Sequence, residues 1–363
     1  MVKFYKSLFF LTLTVSLYAE SSYTLQNSNF TIDNGSFTYN YNRLRLDHSY
    51  YNDNYFSKFI ADGVNYYSHS YTESAEFDLL KSQSSDTPIS TQSRFKDYGD
   101  GEIQAKVYRL YGGYGDGKNR VVVGLQNITM GVGRFWNPTN LFNPKNIYAL
   151  EPDETFGVIA LSYTRYINDT TSLNVVSSIK EDETLKYALR YKTFLKYADL
   201  AVDLLYSDNT KMIGYEAEAN LFDTGVEVRS EGAHIRSHLQ NTQDEIKLSQ
   251  AVLGAEYGFV NGINLTVESL FSSKSFSETV IISNLDSEIL QNMTNSKFYA
   301  GASLSYTFNI FLDASVLYID SFNSEDPFVS ASMTYTLNDF NSFVLGVLSK
   351  GEQTYYLKYQ LAF

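Results

Sequence analysis

The last nine residues of the chain, Tyr355–Phe363, alternate strictly between two kinds of side chain. Every second residue is apolar, and the residues between them, Tyr356, Lys358, Gln360 and Ala362, are smaller or more polar. Side chains alternate across a strand, so this pattern predicts a strand with one apolar and one wetter face, ending on an aromatic residue. Similar segments recur along most of the chain, which favours an all-β fold: a closed barrel or a soluble sandwich.

The composition favours the barrel. The chain has 31 Tyr and 25 Phe, whereas apolar stretches such as Val158–Leu161 are only as long as a strand. A membrane-spanning helix needs about 20 apolar residues, whereas membrane barrels carry aromatic girdles at both interfaces. A soluble sandwich does not account for this aromatic excess. The net charge of −13 argues against nucleic acid as a partner.

The amino-terminal residues predict export. Lys3 and Lys6 precede the short apolar segment 8–17, and Ala19 follows, which predicts a signal peptide at residues 1–19. The chain has no Cys, which excludes disulfides and a lipoprotein anchor. With these features, the terminal strand resembles the assembly signal of bacterial outer-membrane β-barrels. The resemblance implies that residues 20–363 form a closed antiparallel barrel in outer-membrane lipid, and that the barrel assembly machinery reads Phe363.

The number of strands follows from the turns. Fifteen alternating segments can be counted from Ile103 onward, and the short links between them all fall on one side. If both termini lie at the end with short turns, an odd number of strands must precede Ile103. The turns at Asn34-Gly35 and at 52–54 supply three. We therefore expect about 18 strands, or 16 if the first hairpin is not part of the barrel.

The segment 131–154 does not follow the strand pattern. It holds the only Trp, and three of the five Pro residues lie between Pro138 and Pro152. Proline restricts its own backbone and the residue before it, so this is a stiff loop. Because it is also aromatic, we expect it to fold into the barrel and narrow the lumen.

The loop carries a more specific resemblance. Gly-x-Gly-Arg-Phe-Trp-Asn-Pro-Thr-Asn-Leu-Phe-Asn-Pro, at 131–144, resembles a loop of uncharacterised proteobacterial barrels that are taken as porin-like. The resemblance implies a channel but no particular solute. The predicted constriction residues are Arg134, Trp136, Asn137, Asn140, Lys145, Glu151 and Asp153. In the alternative, Trp136, Pro138 and Pro144 only plug and brace the wall, and Arg134 only pairs with a lumen carboxylate such as Glu151 or Asp153.

Alternation also predicts which charges face the lumen. On three strands these charges are Lys186, Arg190, Lys192, Glu216, Glu218, Glu227 and Arg229. A charge facing lipid at the midplane costs about 2–4 kcal/mol, so the charged face must be the inner one. Counted with the loop, the acids are in slight excess, which predicts a weak preference for cations.

No enzyme signature is found. His234 and His238 are spaced by four but lie in a strand and loop context, which is a weak metal signal, and we expect neither a metal nor a cofactor. The favoured function is a porin-like channel for small hydrophilic solutes or ions. The rival is a plugged barrel that sheaths a periplasmic or electron-transfer partner. A homo-oligomer and a monomer both remain open.

Overall fold

The computed structural model describes residues 20–239, 245–323 and 325–363. The predicted signal peptide, residues 1–19, lies outside the described residues. Eighteen long strands form the wall: β1 Glu20–Asp33, β2 Thr38–Asn52, β3 Tyr55–Tyr67, β4 Gly101–Gly115, β5 Asn119–Gln126, β6 Val158–Asn168, β7 Thr171–Ile179, β8 Leu185–Leu195, β9 Ala198–Tyr206, β10 Thr210–Asn220, β11 Glu227–His238, β12 Glu245–Gly258, β13 Ile263–Ser272, β14 Phe298–Asn309, β15 Leu312–Asp320, β16 Phe328–Asn338, β17 Asn341–Lys350 and β18 Glu352–Ala362.

The strands form one closed antiparallel ring. Each strand pairs with its neighbours in sequence, and β1 closes the ring by pairing with β18 from Gln26, opposite Ala362, to Asp33, opposite Tyr355. A two-residue strand, Lys96–Asp97, pairs with the start of β4 but is not part of the wall. The predicted all-β closed barrel of eighteen strands is confirmed. The alternative of sixteen is wrong, because the first hairpin, β1 with β2, is fully paired.

The two faces of the wall differ as the alternation predicts. On β8, Tyr187 and Tyr191 point outward and are exposed, whereas Lys186 and Ala188 between them point inward and are each 4% exposed. The outer surface is therefore mainly a band of aliphatic and aromatic side chains, and most charged residues of the strands lie inside.

The two ends of the barrel also differ. Short turns join the strands at one end, and three long connections, 68–100, 127–157 and 273–297, leave the other end. The long connections hold the helices α1 His69–Thr72, α2 Ala75–Ser82 and α3 Glu278–Ile282 and the 3₁₀ turn Leu290–Asn292. Among the described residues, no helix is long and apolar enough to cross a membrane.

The stiff loop is longer than the sequence predicts. Strand β5 ends at Gln126 rather than at Met130, and β6 begins at Val158 rather than at Thr155. The amide of Ile128 donates to Oδ1 of Asn143, at 2.6 Å, so a loop side chain occupies a donor that the strand ladder would otherwise use. We call residues 127–157 the inner loop.

Candidate functional site

The inner loop is held in the lumen by a buried carboxylate of β11. Glu231 is fully buried, and its Oε2 accepts from the backbone amides of Val132, at 2.8 Å, and Gly133, at 3.0 Å. Its Oε1 accepts from the amide and the hydroxyl of Thr139, at 2.9 and 2.7 Å. Hydrogen bonds to a charged acceptor are roughly twice as strong as neutral ones. Glu231 therefore fixes both ends of the segment 132–139.

Two further carboxylates act in the same way. Glu216 on β10 accepts from the amide of Gly131, at 2.7 Å. Glu268 on β13 accepts from the amides of Arg134, at 2.8 Å, and of Phe135 and Trp136, both at 2.9 Å. We call Glu216, Glu231 and Glu268 the carboxylate latch. The three residues bind the loop mainly through its backbone amides, and the side chains of Thr139 and Asn137 add two contacts to Glu231.

Apolar side chains of the loop fill the space beside the latch. Phe135 and Trp136 belong to a buried cluster on β12–β16, where the Trp136 ring lies 6.1 Å from that of Tyr299. Leu141 and Phe142 join a second cluster on β6–β12. Fully burying a large apolar side chain is worth about 1.5–3 kcal/mol, so these residues hold the loop in place together with the latch.

The end of the loop is anchored by cations on a different part of the wall. Glu151 accepts two hydrogen bonds from Arg43 on β2, at 2.8 and 3.0 Å, and one from Lys358 on β18, at 3.2 Å. Glu154 accepts two from Arg45 on β2, both at 2.9 Å. Burial alone would raise the pKa of Glu154, but Arg45 and Arg43 outweigh it and lower that pKa to about 2.

The two sets of anchors face each other. In a closed ring of eighteen strands, strands nine positions apart lie on opposite sides, and this is the relation between β2 and β11. The loop is tied at Val132–Thr139 to β11 and at Glu151 and Glu154 to β2, so it crosses the lumen. This is the geometry of a constriction.

Arg134 is the cation of the loop that remains most open to the lumen. Its side chain is 45% exposed and contacts Glu256 and Glu227, each at 3.0 Å, with Glu218 at 3.9 Å. Arg229 is buried beneath and bonds the same Glu227 and Glu256. Arg134 therefore pairs with carboxylates of the lumen wall, as the alternative expects, but not with the two acids named there. Glu151 is bound to Arg43 and Lys358 instead, and Asp153 is bound to Lys145.

The other predicted loop residues divide into two groups. Asn137 donates to the carbonyl of Gly133, and Asn140, only 1% exposed, donates to that of Asn143, so both brace the loop from within. Lys145 and Asp153, by contrast, form an exposed pair at 2.7 Å. Trp136 is 9% exposed and braces the loop against the wall.

The predicted lumen charges are mostly paired. Lys186 is buried and donates to the carbonyl of Leu141, Arg190 contacts Glu216, and Lys192 lies 3.5 Å from Asp199. Lys186 and Glu216 therefore hold the inner loop, whereas Glu218 and Lys192 remain partly open.

Sequence reasoning missed a group of inward-facing cations on β2–β5, which we call the basic wall. Arg43 and Arg45 alternate with the exposed Leu44 and Leu46, so period-two alternation in the sequence already marks both as inward-facing. Further inward-facing cations lie on β3–β5, where Lys58, Arg109 and Arg120 line a cavity of about 230 Å³. The charge count that predicts a cation preference omitted all of these residues.

A larger cavity opens on the side of the long connections. Its volume is about 550 Å³, and it lies between the inner loop and the connection 273–297. Phe135, Trp136 and Tyr148 supply its aromatic wall, and Lys145 and Lys350 supply cations.

The fold is similar to that of several bacterial proteins of known structure. The crystal structure of Acinetobacter baumannii OccAB1 is similar with a TM-score of 0.62 and 8% identity over 95% of this chain and 96% of that one. Pseudomonas aeruginosa OccK8 (OprE) gives 0.60 and 10%, covering 95% and 98%, and OccD3 (OpdP) gives 0.59 and 10%, covering 94% and 91%. No protein-family model and no curated protein matches the sequence. At these identities the comparisons show a shared fold.

Proposed function

We propose that the chain is an outer-membrane channel through which small hydrophilic solutes or ions pass passively. The observation that carries the proposal is the inner loop, which crosses the lumen of a closed barrel and is anchored on opposite walls. A band of exposed apolar and aromatic residues around the outside suits outer-membrane lipid. The similar barrels of Pseudomonas and Acinetobacter share this fold, which supports the same conclusion.

We further propose that residues 131–154 set the narrowest section of the channel. Arg134, Glu218, Glu227 and Glu256 line it on one side, and the inward cations of β2–β5 line the other. A passing solute would therefore meet acids on one wall and bases on the opposite wall. Asn137, Asn140 and Trp136 act by holding the loop in shape.

The direct test is to shorten the loop. Replacing Asn137–Pro144 by a short glycine-serine linker removes Thr139 from Glu231 and Leu141 and Phe142 from their cluster. The barrel strands are untouched, so the protein should still assemble and stay heat-modifiable in gels. Single-channel conductance in planar bilayers should rise, and larger solutes should pass. Unchanged conductance in a folded variant contradicts the proposal, and a folded wild type that never conducts supports a plugged scaffold.

Phe363 is proposed to direct assembly. Its amide and carbonyl pair with the carbonyl and amide of Leu25, and its ring is 66% exposed on the outer face. Deleting Phe363 should lower the amount of heat-modifiable barrel in outer-membrane fractions and leave export intact. Normal assembly of the truncated chain counts against its role as a signal.

A further inference from the structure

Four asparagines lie on the outer face of β1 and β2. Asn27 and Asn29 on β1 alternate with inward residues such as Phe30, which is 1% exposed. Asn40 and Asn42 hold the matching positions on β2, where Asn42 is directly opposite Asn29. We call Asn27, Asn29, Asn40 and Asn42 the asparagine patch. Primary amides are unexpected on a surface that elsewhere carries aliphatic and aromatic side chains.

The patch lies within the apolar band. Asn29 is opposite Tyr359 of β18, and Asn27 is opposite Leu361. Exposed tyrosines bracket it, with Tyr23 towards the end with short turns and Tyr355 towards the long connections. Tyrosines of this kind mark the two membrane interfaces of a barrel, so the amides between them face hydrocarbon.

The patch does not satisfy its own hydrogen bonds. Asn27 donates to Asn42, at 2.9 Å, and Asn29 and Asn40 donate to each other, at 3.2 and 3.0 Å. Within the described part of the chain, no acceptor is found for the side-chain N–H groups of Asn42, and no donor is found for Oδ1 of Asn27. Polar groups left unpaired in hydrocarbon are costly, and polar residues at membrane depth usually have a partner.

The surface next to the patch is shallow. On β3, Ala61 and Gly63 point outward, and Gly63 lies between Leu44 of β2 and Ala105 of β4. A Cβ built on Gly63 would meet nothing within 4 Å, so the space in front of it is open. Small residues where two membrane-embedded segments meet let the backbone of the second segment approach closely.

We propose that a second copy of this chain docks on the asparagine patch, forming a two-fold symmetric dimer in the membrane. A primary amide both donates and accepts, so an identical patch offers acceptors for Asn42 and donors for Asn27. A two-fold axis along the membrane normal brings the patch of one copy against that of the other, as in other isologous contacts. The inference is independent of whether the lumen conducts.

Cysteine crosslinking tests the contact, because the chain has no Cys of its own. Leu44, directly opposite Asn27 and 47% exposed, would meet or nearly meet its own copy across the axis. The control is Ile213 on β10, which is 54% exposed on the opposite side of the barrel. Oxidation in outer-membrane vesicles should link Leu44→Cys into a covalent dimer at least several-fold more than Ile213→Cys. Equal yields overturn the proposal.

Removal of the amides gives a second, independent readout. The double variant Asn27→Leu, Asn42→Leu keeps the number and branching of the side-chain heavy atoms and suits lipid better, so the barrel should remain heat-modifiable. Mass measurement in mild detergent should show a dimer for the wild type and a monomer for the variant, with unchanged conductance per barrel. A monomeric wild type, as expected if the patch contacts only lipid, or a variant that stays dimeric, overturns the proposal.

Discussion

The carboxylate latch makes Glu231 the residue whose replacement should most disturb the channel. In Glu231→Gln, one carboxylate oxygen becomes an amide nitrogen. If that nitrogen faces Thr139, the hydroxyl can turn to accept, but the amide N–H of Thr139 loses its acceptor. If it faces the other way, the amides of Val132 and Gly133 lose theirs. At least one buried donor is therefore left unpaired in either orientation.

The magnitude follows from that count. One unpaired buried donor costs about 1–3 kcal/mol. A shift of about 1–3 kcal/mol changes a two-state population by about 5- to 150-fold. The detached state of the inner loop should become more frequent by that factor, and Glu231→Ala, which removes both oxygens, should have a larger effect.

Single-channel recording measures how often the inner loop is detached. Glu231→Gln should give noisier open states and added conductance levels above the wild-type level, in protein that is still heat-modifiable. The matched control is Glu218→Gln on the adjacent strand. Glu218 lies 3.9 Å from Arg134, and none of the described loop amides donates to it. Recordings of Glu231→Gln that match those of Glu218→Gln and the wild type would refute the latch.

Two further predictions concern pH and charge. The pKa of Glu154 is lowered from 4.5 to about 2. The stabilisation that its ion pairs give to the loop is therefore fully present above the ordinary pKa of 4.5, and it is lost as the pH falls towards 2. Conductance should therefore be steady from about pH 8 to about pH 5. It should become noisy below about pH 4, because a detached Glu154 has an ordinary pKa and takes up a proton in that range. Recordings that stay steady as the pH falls towards about 2 would contradict this. Arg120→Gln on the basic wall should shift the reversal potential in a salt gradient towards cations, and an unchanged value would place Arg120 away from the conducting path.

The sequence predicts the wall of this protein better than its interior. Period-two alternation and tight turns are local signals, and they were enough to place eighteen strands and their faces. The strands on either side of the inner loop stop at Gln126 and start at Val158 rather than at Met130 and Thr155. At the first of these ends, Asn143 takes the amide of Ile128 from another part of the loop. A hydrogen bond between two parts of a loop produces no periodic pattern in the sequence.

The same limit applies to the anchors. Glu216, Glu231 and Glu268 were identifiable as inward-facing, but the donors that they bind are mainly backbone amides, which every residue except proline possesses. Nothing in the sequence marks which amides they bind. Arg43 and Arg45 could have been found, since they occupy inward positions of a regular strand, but their partners Glu151 and Glu154 lie 108 and 109 residues away along the chain.

The way the latch grips the inner loop has a consequence for how such a channel can diversify. Glu216, Glu231 and Glu268 hold peptide N–H groups, and most loop positions offer the same group whatever residue stands there. Side chains such as Arg134 can therefore be exchanged without loss of these backbone contacts. The same wall can therefore hold loops with different side chains at positions such as Arg134. Gly131 and Gly133 have to be kept, because a Cβ there would meet Glu231 or the carbonyl of Trp136.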